Sequence, residues 1–102
     1  MDKPTKEQIK KFWEWCGFFK VDYADTMPWR FPASKGYECY FGIPDIDLNN
    51  LFKYAVPKVL EKVGKYETVV LVNNAVCNAV EASGKIDEFL FWAIWEVIKN
   101  GS

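Results

Sequence analysis

No histidine occurs anywhere in the chain. That removes the commonest metal ligand and the side chain best suited to acid–base work near neutral pH. Cysteine–histidine nucleophiles go with it. The cysteines, Cys16, Cys39 and Cys77, are widely spaced with no CxxC pair, so they complete neither a zinc site nor a disulfide framework. Their odd number points to reduced thiols packed as small core residues, in a reducing compartment. The six glycines are isolated, and no phosphate-cradling loop of the Walker or dinucleotide kind is present. An excess of charge of one sign is missing too: 13 basic and 14 acidic side chains leave a net charge of −1. Such a balance steers the chain towards no polyanion. The N-terminal stretch is too charged for a signal peptide, and no apolar run approaches the roughly 18 residues of a membrane span. The chain reads as cytoplasmic.

What is abundant is aromatic area. Phe, Trp and Tyr make up 18% of the 102 residues, a supply that suits a single domain (1–102) too small to build a deep core from aliphatic residues alone.

Thr5 and Gln8 have capping-box spacing, Ile9, Phe12, Trp13 and Cys16 recur at helical intervals, and Gly17 follows as a left-handed stop. A first helix over 5–16 is expected. Pro28, Pro32 and Gly36 then break the helical period, and 29–31 with 37–41 read as two paired strands. Asp47 is a natural N-cap for a second helix running to about Val63, with a kink at Pro57 and a stop at Gly64. The stretch 67–72 is rich in β-branched residues and Asn73-Asn74 suits a tight turn, so 67–72 and 75–82 read as a second hairpin. A third helix spans about 85–99. The expected fold is α+β: a three-layer α/β/α sandwich in the order α-β-β-α-β-β-α, with an antiparallel sheet between two groups of helices.

The last helix carries more apolar surface than one buried face requires. Ile86, Phe89, Leu90, Ala93, Ile94 and Val97 form one contiguous arc, which suffices for a core. Phe91 and Trp95 lie one turn apart on the other side, with Trp92 at its margin. Either the chain's own 18–41 segment or a partner must cover them. Phe91, Trp92 and Trp95 are therefore the candidate partner-binding residues, and a two-fold pairing of the last helix with its own copy is one way to use them.

Other constellations are weaker. Asp45 and Asp47 could be read as a carboxylate pair, but capping accounts for Asp47. Trp29, Arg30, Tyr37 and Tyr40 could form a base-stacking platform, although no positive groove surrounds them. A pocket for a small nucleotide signal would have to draw on Arg30, Lys35, Asn73, Asn74 and Asn78.

Three blocks, 12–18 (FWEWCGF), 46–58 (IDLNNLFKYAVPK) and 91–98 (FWAIWEVI), resemble a family of small bacteriophage proteins, the phage ABA sandwich domain. The resemblance implies a helix/sheet/helix sandwich and a viral origin, and brings no catalytic residue or cofactor with it. With no catalytic constellation, the expected function is that of a phage accessory protein, not an enzyme, which binds and occludes a host or defence-system protein in the host cytosol. Sequestration of a nucleotide signal is the alternative, and nucleic-acid binding the next. Neither a cofactor nor a membrane is expected as a partner.

Overall fold

The computed structural model describes residues 3–22, 27–33 and 36–101, and the chain divides into two compact units, Pro4–Pro44 and a second that begins at Asp45.

The first unit opens with α1 (Lys6–Cys16). Gln8 N–H donates to Thr5 Oγ1 at 3.1 Å and Thr5 N–H to Gln8 Oε1 at 2.9 Å, so the capping box closes both ways. At the other end Gly17 takes φ 119°, and Phe18 N–H reaches back to Trp13 O at 3.0 Å. Three antiparallel strands follow among the described residues: β1 (Phe19–Lys20), β2 (Trp29–Ala33) and β3 (Gly36–Tyr40), in the spatial order β1-β2-β3. Phe12, Trp13, Cys16, Phe18 and Trp29 are buried. Phe18 links helix and sheet, lying 5.6 Å from Trp13, 4.6 Å from Phe31 and 5.6 Å from Tyr40 between ring centroids. The indole N–H of Trp13 donates to Pro44 O at 2.8 Å, which ties the exit of this unit to its helix.

The second unit is helical: α2 (Leu48–Asn50), a π-helical turn (Leu51–Ala55), α3 (Val56–Glu81) and α4 (Ile86–Gly101). Asp47 caps α2 as expected, accepting from Asn50 N–H at 2.8 Å. Pro57 stands in the first turn of α3, where its missing N–H is tolerated. The wide turn before it gives the proline ring room that a regular α-turn would deny. The expected kink is thus a π-turn preceding the proline. Gly64 does interrupt the helical path, with φ 88° and ψ 171°, but the chain turns helical again at once. Thr68, buried, donates its hydroxyl to Gly64 O at 2.7 Å, four residues back, and so pins the turn from which the helix restarts.

The structure therefore keeps the α+β class and corrects the order. The hairpin expected over 67–82 is the C-terminal part of α3. Buried Thr68, Ala75 and Ala79 follow helical spacing, and no Gly or Pro lies between Lys65 and Ala82 to break it. That stripe overrides the β preference of the valines. With the second hairpin goes the four-stranded sheet on which the sandwich order was built.

Candidate protein-binding surface

The aromatic residues singled out in the last helix do not share one environment. Phe91 is fully buried, while Trp92 and Trp95 are half-buried. Phe91 is the hub of the group, meeting Trp92 edge to face at 5.0 Å and lying nearly parallel to Trp95 at 6.0 Å. The buried line of α4 is Leu90, Phe91 and Ile94, rotated towards Phe91 from the expected arc, so that Ile86, Phe89, Ala93 and Val97 are only half-covered. α4 packs on α3 and on the π-turn within its own unit. Phe91 is thus a core residue; its ring is not on a surface that a partner could touch.

Among the described residues of the first unit, the largest exposed aromatic group stands on the sheet. Cross-strand partners share a face, and the register pairs Phe19 with Arg30, Arg30 with Cys39, and Pro32 with Tyr37. These five residues form one face. Trp29, Phe31, Glu38 and Tyr40 point the other way, and that is the face on which Phe18 packs. The stacking platform drawn from sequence is thereby divided: Trp29 and Tyr40 lie on one side of the sheet, Arg30 and Tyr37 on the other. On the open face Tyr37 is 62% exposed and Phe19 39%. Their rings meet edge to face at 5.3 Å, reaching across β2. Phe41, just beyond β3, is more exposed still. The one arginine of the chain, Arg30, sits beneath this ridge and donates to the carbonyls of Met27 and Trp29. Cys39 is exposed here and Cys77 on α3, and only Cys16 is buried, which corrects the expectation of three core cysteines.

The backbone adds a second feature to the same face. Val21 N–H donates to Pro28 O at 2.8 Å, and in an antiparallel ladder bonded pairs alternate. Arg30 and Pro32 therefore direct their backbone groups to the β1 side, and Trp29, Phe31 and Ala33 direct theirs to β3. By the same alternation Gly36, Glu38 and Tyr40 bond inward to β2, while Tyr37 and Cys39 turn their N–H and C=O groups to the outer edge. Pro32 lacks an N–H, which this register does not require. Tyr37 and Cys39 thus bring side chains to the open face and peptide groups to the open edge.

The remaining candidates resolve separately. Asp45 and Asp47 serve α2: the Asn50 amide donates to Asp45 O at 3.0 Å and to Asp47 Oδ2 at 3.3 Å. Among the described residues no group of three or more acidic or cysteine side chains is placed to hold a metal ion. Of the nucleotide-pocket candidates, Arg30 belongs to the first unit and Asn73, Asn74 and Asn78 to α3 in the second; Lys35 lies outside the described residues. Among the described residues no helix is long and apolar enough to cross a membrane. What sequence reasoning missed is the open face of Phe19, Pro32, Tyr37 and Cys39, for which the available signal was Pro32 itself, since a proline fixes which way a strand can be paired.

No family model, curated protein or solved structure matches this chain. The comparisons thus add nothing to the resemblance read from the three sequence blocks.

Proposed function

We propose that the chain is a non-catalytic protein-binding module that recognises an extended segment of a partner by adding it as a fourth strand beside β3. One observation carries this reading: Tyr37 and Cys39 expose peptide groups at a sheet edge and side chains on the adjoining aromatic face. Strand addition uses both, with main-chain hydrogen bonds giving affinity and alternate side chains giving choice of sequence. The incoming residues opposite Tyr37 and Cys39 would lie against the Phe19–Tyr37 ridge. An apolar or aromatic segment suits that ridge best. In keeping with the viral origin that the three sequence blocks imply, the partner class is a host or defence-system protein met in the cytosol, and occlusion of its strand is the inhibitory act.

The test is site-specific photo-crosslinking in the natural host, with a benzophenone amino acid at position 37 and, as a control, at position 20 on the opposite face. A discrete adduct from position 37 that disappears with Cys39→Pro supports the reading, because that change removes one outward N–H and no bond to β2. Phe19→Asp, on the same open face, gives the independent side-chain control. Adducts that form equally from position 20, or that survive Cys39→Pro in a protein of unchanged circular dichroism, overturn it.

A further inference from the structure

Beyond Gly64, α3 shows two lengthwise apolar stripes, and the monomer uses one. Thr68, Ala75 and Ala79 are buried. At about 100° per residue they lie together on the helical wheel, and Tyr66, Val69, Asn73, Val76 and Val80 form a second arc roughly a third of a turn away. Tyr66 is 78% exposed, Val80 69% and Val69 51%, Asn73 is exposed, and Val76 is half-buried. Exposed Cys77 flanks the arc. None of the charged residues of this segment, Lys65, Glu67 and Glu81, falls within it. The steps from Tyr66 to Val80 are three, four, three and four residues, which is the spacing of a coiled-coil seam.

We infer that this stripe is the interface of a homodimer, in which two copies of α3 pack about a two-fold axis beside Asn73. The argument for a second copy rests on polar complementarity. Asn73 stands at the midpoint between Tyr66 and Val80, alone among apolar neighbours. An amide placed in the middle of an apolar contact needs a donor and an acceptor opposite it. A two-fold axis at this point supplies both, since each amide carries the pair that the other lacks. A single polar residue in such a seam fixes register and the number of chains. The stripe carries no charge with which to select a charged partner, and its β-branched residues repeat at the spacing that lets one copy's knobs enter the other's holes. The contact is isologous and closes on itself. It involves α3 instead of the last helix and is independent of strand addition at β3.

Sedimentation equilibrium over micromolar to submillimolar concentrations tests the inference. The wild-type chain is expected to rise from the monomer mass to twice that value. The double variant Val69→Glu, Val80→Glu should remain at the monomer mass with unchanged far-ultraviolet circular dichroism. Should that variant lose its helical signal, Tyr66→Lys replaces it, at the most exposed position of the stripe. In a Cys39→Ser, Cys77→Ser background, Asn73→Cys should convert to a disulfide-linked dimer under mild oxidation. A wild-type chain that stays monomeric, a dimer that persists in the charged variants, or a dimer in which Asn73→Cys fails to cross-link overturns the proposal.

Discussion

The unit Pro4–Pro44 and the helical unit that follows handle their aromatic residues in opposite ways. In the first, a strand register divides them: Trp29 and Tyr40 go to the covered side of the sheet, and Phe19 and Tyr37 stay in water. In the second, Phe91 gathers Trp92 and Trp95 around one buried ring. A sheet sorts side chains by parity, so one residue of register moves a side chain to the other face. A helix sorts them by angle, and a wide apolar arc grades from buried to half-covered. Aromatic composition alone therefore says nothing of which rings are available to a partner.

Three substitutions test that contrast. Phe91→Ala removes a fully buried ring and should destabilise the helical unit by about 3–5 kcal/mol, read as a lower urea midpoint; a change below 1 kcal/mol would return Phe91 to the surface. Gly64→Ala should cost roughly 1–3 kcal/mol, because φ 88° with ψ 171° is a conformation that a residue with a Cβ adopts only under strain. The same measurement checks it, and a neutral result would mean that the helix can run straight through this point. Tyr37→Ser should leave stability within about 0.5 kcal/mol of the parent while abolishing capture of the partner by the tagged chain. A marked loss of stability there would place Tyr37 in a core and remove the distinction between the two faces of the sheet.

Much of the local structure was legible from residues whose chemistry admits one reading. Thr5 with Gln8, Gly17 and Asp47 mark helix ends, and each stands where its hydrogen bonds require. The first hairpin followed from its prolines and aromatic residues. The stretch 67–82 was misread because Val69, Val70 and Val72 favour strands locally and Asn73-Asn74 imitates a turn; the helical spacing of Thr68, Ala75 and Ala79 is a weaker signal per residue but acts over the whole segment. In the last helix the element was legible and its orientation was not, since apolar residues ring most of it and only packing against α3 and the π-turn decides which of them is central. The open face of the sheet was hidden for a related reason. Which of Trp29 and Arg30 points outward depends on strand pairing, a property of two segments together.

Pro32 has one more effect. Its ring occupies the flank of β2 beyond the reach of the two-residue β1, where an amide hydrogen would otherwise invite another chain. A strand laid along that part of β2 finds no amide hydrogen at position 32, whereas the far border keeps the peptide groups of Tyr37 and Cys39 turned outward.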